Sequence, residues 1–353
     1  MNVQRGAERM TQRRIAELAG VSQTTVSLVL NNRVNATGRI AKETRDRVME
    51  VIRATTYVAD PAARRLAGGE NQILGVFTYE AAFPHETVDF YTPLLTGIES
   101  AAETMGCDLL MFTSAPVVNG RRQIFHQNNR LAFADGCILL GLEMDTEDLR
   151  RLVVGGYSFV AIGRRSTPGV PYVGVDYVSS TKELVRRALQ LGHRRFFYLE
   201  RDSRGESVLD RRAGFREGVA GFRNAQHTFY TVSGKGLSEA WKAIIAFGPT
   251  VLFLESEDHS AALLKLAAEA GYSVPGDLSI IVLGDPPRSG TTDIDFTRLS
   301  APREDLGAGA VKLLTKIIAS KERIPDSELR VLLNCRFVPG STLAAPKNER
   351  AAQ

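Results

Sequence analysis

The chain has 353 residues, enough for two or three compact units at roughly 150 residues each. Apolar residues make up 44% and charged residues 24%, close to an ordinary soluble protein, which excludes disordered, collagen-like and membrane-bundle classes. Formal charge is +4 but uneven: residues 1–70 hold twelve Lys/Arg against seven Asp/Glu, and the remainder 32 against 33. An excess confined to the N-terminal fifth points to a small polyanion-binding module on a near-neutral body.

In chain order, Arg5, Glu8, Arg9, Arg13, Arg14 and Glu17 break any apolar signal region, and no run of ~18 uncharged apolar residues follows. Neither export nor a membrane span is expected, and the expected compartment is the cytoplasm. Residues 11–58 show helical periodicity with short polar interruptions, which fits a three-helix unit. Within it, QRRIAELAGVSQTTVSLVLN from Gln12 places Ile15, Ala16, Ala19, Val21, Val26 and Val29 where a helix-turn-helix buries apolar side chains. Ala16 is small because the second helix crosses it closely, Gly20 supplies the positive φ of a tight turn, Ser22 caps the next helix and Val21 staples it.

The second helix, from about Gln23 to Leu30, presents Gln23, Thr24, Ser27 and Leu28 outward from its first turns. In this geometry its N-terminal end enters the major groove. Gln23 suits bidentate pairing with adenine; Thr24 and Thr25 suit a base, a thymine methyl or a phosphate; Leu28 offers apolar contact alone. Thr11, Ser27, Asn31 and Arg33 are candidate phosphate ligands, which position the module without reading sequence. An ordinary αα-hairpin with a polar face is the competing interpretation. A third helix, about Lys42 to Thr55, carries Val48, Val51 and Ile52 on a core face.

Asp60-Pro61-Ala62-Ala63-Arg64-Arg65-Leu66-Ala67-Gly68 reads as an N-cap, a proline at the first helical position, helix formers and a glycine stop. A helix of two turns is marginal in water, so its folding depends on a partner. The alternative is a connector helix whose Leu66 packs on its own domain.

From Ile73 onward, short apolar runs alternate with amphipathic stretches: ILGVF (73–77), CDLLMF (107–112), GCILL (136–140), FVAIG (159–163), RFFYL (195–199), TVLFL (250–254), LSIIVL (278–283) and a final VLLNCRFV (331–338). The alternation implies βαβ units and parallel sheets covered on both faces. The expected fold is an α/β core of two doubly wound parallel-sheet lobes behind a small all-α helix-turn-helix N-terminal domain. Thr167-Pro168-Gly169-Val170-Pro171 reads as the crossover between lobes. The expected divisions are a head piece over 1–58, a hinge over 59–70, a core over 71–345 and a frayed polar tail over 346–353.

Cys107, Cys137 and Cys335 are odd in number and far apart, so neither a disulfide framework nor a zinc site is expected. His85, His126, His193, His227 and His259 are scattered, with no pair at metal-ligand spacing. His193 in LGHRR is expected to end a helix before the next strand. No phosphate-binding loop, dinucleotide fingerprint, nucleophile elbow or H-E-x-x-H is present, so no catalytic residue, cofactor or metal is expected. An α/β enzyme and a solute-binding protein remain the competing classes.

The run RRIAELAGVSQTTVSLVLNN, then TRDRV and TYVADPAARRLAG, resembles the head piece and hinge of the lac-repressor-type (LacI/GalR) transcription regulators. The resemblance continues through DFYTPLLTGIESAAETMG (89–106), FADGCILL (133–140), VAIGRR (160–165), VGVD (173–176), LGHRRFFYL (191–199) and DRRAGFREG (210–218). It implies a periplasmic-binding-protein-like core and a homodimer whose head pieces read a near-palindromic operator. It implies hinge helices of two subunits in the minor groove, with Ala63 and Leu66 at the DNA and Leu66 wedged into a flexible central step. A small-molecule effector, sugar-like or another metabolite, then binds between the lobes. Carried over, its contacts fall on Phe90, Tyr91, Asp176, Ser207, Arg211 and Asp285, with Arg211 and Asp285 bracketing a polyol or purine. Glu257-Asp258 stands where the family commonly has Asn-Asp, Gly234 where an aromatic is common, Ala301 where a polar contact is usual, and Leu28 where arginine is frequent. The link RVNATGRIAKE is also longer than usual. These departures imply a non-standard effector. The tail carries no heptad pattern for a tetramerising coiled coil.

Overall fold

The computed structural model describes residues 10–30, 40–55, 57, 70–80, 90–118, 120–232, 236–285 and 294–347. The chain divides into two compact units, one built on residues up to 73 together with 133–135, the other on the rest.

The first unit opens with helix α1 (Gln12–Ala19), begun by Thr11, whose Oγ1 accepts from the Arg14 N–H at 3.2 Å. Gly20 ends it in the left-handed region, φ 63° and ψ 38°, and the Val21 N–H returns to the Ala16 carbonyl at 3.0 Å. That closing turn favours glycine because a Cβ is strained at positive φ. Helix α2 (Gln23–Leu30) is capped by Ser22, whose Oγ accepts from the Thr25 N–H at 3.1 Å. Helix α3 (Lys42–Ala54) closes a core of Ile15, Ala16, Ala19, Val26, Val29 and Val48. Val21, Val51 and Ile52 are half-buried against it.

The second unit holds two lobes. Lobe 1 contains β1 (Ile73–Thr78), α4 (Thr92–Thr104), β2 (Asp108–Phe112), the small hairpin β3 (Val117–Val118) and β4 (Arg121–Arg122), β5 (Gly136–Leu140), α5 (Thr146–Val154), β6 (Phe159–Ile162) and β7 (Tyr172–Val175). Lobe 2 contains α6 (Tyr177–Gln190), β8 (Arg195–Arg201), α7 (Glu206–Ala220), β9 (Gln226–Val232), α8 (Gly236–Phe247), β10 (Val251–Leu254), α9 (Ser260–Glu269), β11 (Ser279–Val282) and β12 (Thr297–Ser300). Helix α10 (Arg303–Ala319), a short α11 (Asp326–Leu329), β13 (Arg330–Leu333) and β14 (Arg336–Val338) complete them.

The sheet orders are β13-β7-β6-β5-β1-β2 and β14-β12-β11-β10-β8-β9. Strands β5, β6, β7 and β13 run parallel with their neighbours, whereas β14 lies antiparallel to β12. The central strands are buried along their whole length, as in GCILL and VLFL. Burial on both faces is what their unbroken apolar runs require. In lobe 1, α10 drives Leu306, Ala310, Val311 and Leu314 into one face. In lobe 2, Phe215 of α7 is fully buried edge-on among Phe196, Tyr198, Phe229 and Phe253, arrangements that add to simple area burial.

Two expectations are corrected and a third is extended. The segment 331–338 is not one strand: β13 joins lobe 1, β14 joins lobe 2, and Asn334-Cys335 carries the chain across, with Cys335 packed against both cores. Residues 167–171 do not cross between lobes; they turn inside lobe 1 from β6 to β7, with Gly169 at φ 77°. The crossings lie at Asp176, between β12 and α10, and at 334–335. His193 does more than end a helix. Its buried ring bonds Thr250 Oγ1 at 2.9 Å and the Ala344 carbonyl at 2.8 Å, tying the C-terminal segment to lobe 2. Farther along the same segment, Lys347 Nζ lies 2.8 Å from Asp277 Oδ1.

Candidate DNA-contact surface and effector cleft

On α2, Gln23 and Thr24 are exposed, while Thr25, Ser27 and Leu28 are half-buried. The Thr25 hydroxyl lies 2.9 Å from Ser22 Oγ, so it is engaged in the cap. Thr11 is likewise engaged in capping α1. Arg13 and Arg14 stand exposed beside Glu17. Candidates Asn31, Arg33, Ala63 and Leu66 lie outside the described residues.

In both lobes the sheet order reverses beside the first strand, β1 in lobe 1 and β8 in lobe 2. A crevice at the carboxyl ends of such strands is the usual ligand position in open α/β sheets. Here the ends supply Glu80, Gly141 to Glu143, Arg201 and Glu255 to Asp258. Tyr91 is buried and donates its hydroxyl to Glu80 Oε2 at 2.6 Å, and burial first, then Glu80, pushes that hydroxyl well above its ordinary range. Phe90 is exposed, edge-on to Tyr91, with the Arg303 guanidinium 4.6 Å from its ring. Phe90 thus offers a face, and Tyr91 supports it.

Asp176 caps α6 at the first crossing, accepting from the Ser179 N–H at 2.9 Å. Ser207 and Arg211 share one face of α7 at i, i+4 spacing. The Arg211 guanidinium lies 4.0 Å from the Tyr177 ring, and its Nη1 is 4.0 Å from Glu255 Oε1. Asp285 accepts from Arg298 Nε at 3.2 Å and Ser300 Oγ at 3.0 Å. Arg211 and Asp285 therefore each hold their own counter-charge rather than facing one another bare. The half-buried Cys335 thiol, pushed up to about 11 chiefly by burial, feels Arg211, Asp285 and Asp176 together. Glu257 sits in a single 3-10 turn after β10.

Glu255 carries no expectation from sequence, yet it is 0% exposed at the end of β10. It accepts from the Arg201 N–H at 3.1 Å and the Tyr198 hydroxyl at 3.3 Å. Burial raises its carboxyl above the ordinary range although Arg211 opposes this. The signal was its position directly after the apolar run VLFL, where a charged side chain must either leave the core or find partners.

Three further sets of contacts bind lobe to lobe. Arg164 Nε and Nη2 each lie 2.6 Å from the Asp210 carboxylate. Arg165 Nη1 lies 2.8 Å from Glu206 Oε2, while its Nη2 donates to the Gly141 and Ile162 carbonyls at 2.7 and 3.0 Å. Burial opposes ionisation of Glu206, but Arg165 together with the backbone N–H groups of Glu206 and Ser166 outweighs it and holds that carboxyl below its usual range. Glu143 accepts from Ser203 Oγ at 2.6 Å and the Arg204 N–H at 2.9 Å, and pairs with Arg121. Among the described residues, no three His, Cys, Asp or Glu side chains are grouped to hold a metal. No described helix is long and apolar enough to cross a membrane.

Residues 12–60 match the family model for bacterial regulatory proteins of the lacI family, and residues 185–343 match that for a periplasmic binding protein-like domain. Catabolite control protein A of Staphylococcus xylosus is 25% identical over 319 residues, covering 87% of this chain and 92% of its own. The maltose regulon regulatory protein MalI of Escherichia coli (strain K12) is 25% identical over 333 residues, covering 90% and 94%. In fold, the chain is similar to the lac repressor dimer bound to operator and the anti-inducer ONPF, with TM-score 0.72, 19% identity and coverage of 96% of this chain and 100% of that one. With its helix-turn-helix and its two periplasmic-binding-protein-type lobes, the chain joins a lacI-family DNA-binding domain to a periplasmic-binding-protein-like domain, as transcription regulators similar to it along most of their length do.

Proposed function

We propose that the protein is a repressor that works as a homodimer in the cytoplasm on a near-palindromic operator. Each α2 enters the major groove of one half-site, with Gln23 and Thr24 nearest the base edges. The hinge over residues 59–70 enters the minor groove at the centre, where Ala63 and Leu66 meet the DNA. Thr11, Thr25, Ser27, Asn31 and Arg33 set the register on phosphates, and Leu28 adds apolar contact. The observation that carries this reading is the pair α1 and α2, closed by Gly20 at φ 63° and leaving Gln23 and Thr24 exposed.

A small molecule, sugar-like or another metabolite, enters between the lobes against Phe90, Asp176, Ser207, Arg211, Asp285 and Glu257, with Tyr91 behind. Its binding shifts one lobe against the other, alters the separation of the two hinge segments and thereby DNA affinity. Selection of bound sequences from random duplexes tests the DNA half: a two-fold-related site with a flexible central step is expected, and recovery of no preferred sequence refutes it. A thermal-shift screen of sugars, nucleobases and phosphorylated metabolites tests the other half, because a selective ligand stabilises by mass action.

A further inference from the structure

The bonds between the lobes form a seam along one helix. Glu206, Asp210 and Gly214 recur at i, i+4 and i+8 on α7, so they occupy one face. At Gly214 the helix backbone rests on α6 just past the first crossing: a Cβ there would meet the Val178 carbonyl oxygen at 2.2 Å. One turn outward Asp210 takes Arg164 by two bonds, and a further turn outward Glu206 takes Arg165. Beyond the helix start, Ser203 and the Arg204 N–H take Glu143. The lobe 1 partners come from the ends of β6 and β5, which are neighbours in the sheet. The seam therefore runs outward from the crossing, over sheet neighbours and helix turns in register.

Two details separate it from incidental surface pairing. The Arg165 side chain is 3% exposed and already bonded to the Gly141 and Ile162 carbonyls of its own lobe, so it is aimed at Glu206 before the lobes meet and loses little freedom on closure. Arg164 engages Asp210 with two parallel bonds, the geometry that gives a guanidinium its strongest and most directional pairing.

We propose that this face of α7 is an interlobe latch, which holds the core closed with the chain's own ion pairs, so that closure requires no small molecule and an effector acts by working against the latch. The effect on DNA rests on the function proposed above; the closure itself does not.

The test is small-angle scattering and amide exchange on the full chain, free of added ligand. The wild type should scatter as a closed core. Combining Arg164→Met with Glu206→Gln should enlarge the radius of gyration and speed exchange of the 203–211 amides roughly tenfold while unfolding stays cooperative. Arg164→Asp alone should open the seam, and adding Asp210→Arg should close it again. If the wild type is already as open as the double variant, or the charge swap fails to restore closure in a protein that still unfolds cooperatively, the latch is refuted. Operator binding measured on the same samples separates the two ideas. A closed wild type that binds no operator sinks the DNA reading alone, and an open wild type that binds operator sinks the latch alone.

Discussion

Gly214→Ala is the most direct probe of how α7 is seated. The added methyl would lie 2.2 Å from the Val178 carbonyl oxygen and 3.0 Å from its carbonyl carbon, roughly an ångström short of ordinary contact, and both atoms are backbone that cannot swing aside. Relieving such overpacking costs typically about 1–3 kcal/mol, against which replacing a mid-helix glycine by alanine gains about 1 kcal/mol. A net loss of up to about 2 kcal/mol is expected, or as much as several degrees in Tm at about 2–4 °C per kcal/mol for a unit of this size. Because α7 must move away from α6, Asp210 and Glu206 move with it, so amides near the helix start should exchange faster. Gly221→Ala is the matched control: it ends the same helix at φ −77° with nothing within 4 Å of the added methyl, and should be neutral or mildly stabilising. Thermal unfolding of the two variants side by side decides the matter. A Gly214→Ala protein that melts at or above Gly221→Ala refutes the reasoning.

Gln23→Ala should relax preference at one symmetric pair of operator positions; an unchanged binding-site profile would show that Gln23 reads no base. Leu66→Ala should weaken specific binding far more than non-specific binding, and equal losses in a titration against both DNAs would contradict the wedge. Gly20→Ala meets open space at φ 63°, so its cost is backbone strain of about 1 kcal/mol, visible as earlier melting of the N-terminal unit with base preference intact. Burial lowers the folded-state pKa of His193 below 6.5, outweighing the raising effect of its bond to the Ala344 carbonyl. The unfolded chain therefore binds the extra proton, and core stability falls as pH drops from about 6.5, by at most about 1.4 kcal/mol per pH unit. His193→Gln should flatten that limb in urea titrations across pH 5 to 7, and an unchanged slope would assign the acid sensitivity elsewhere.

What was legible in the chain was what burial imposes locally. GCILL, FVAI and VLFL are buried on both sides and read as unbroken apolar runs, and the spacing around Ala16, Gly20 and Val26 reports a helix crossing that tolerates no bulk. Strand β9 escaped because QHTFYTV lies at a sheet edge and is largely half-buried or exposed; β12 escaped because TRLS buries Thr297 through hydrogen bonds with Thr342 and the Gly340 carbonyl rather than through apolar contact. The first and last crossings were illegible for a different reason. Proline and glycine mark sharp turns, as 167–171 proves to be, whereas the chain leaves β7 at Asp176 and β13 at Asn334 with no such punctuation. At the cleft, Arg211 and Asp285 stood out by context, but their counter-charges did not. Arg164 and Asp210 are 46 residues apart, and nothing local to either announces the other.

The three crossings also bear on how the molecule is made. Lobe 1 draws on residues 73–175 and again on 302–333, and lobe 2 on 177–300 and again on 335–347. As the chain emerges from the ribosome, the head helices can settle as soon as they are out. Lobe 1 must wait with one apolar face uncovered until α10 delivers Leu306, Ala310, Val311 and Leu314, by which time nearly all of lobe 2 has been synthesised. The two lobes therefore mature together at the end of translation, and shortened chains that stop before residue 303 should need chaperones rather than yield a free-standing half.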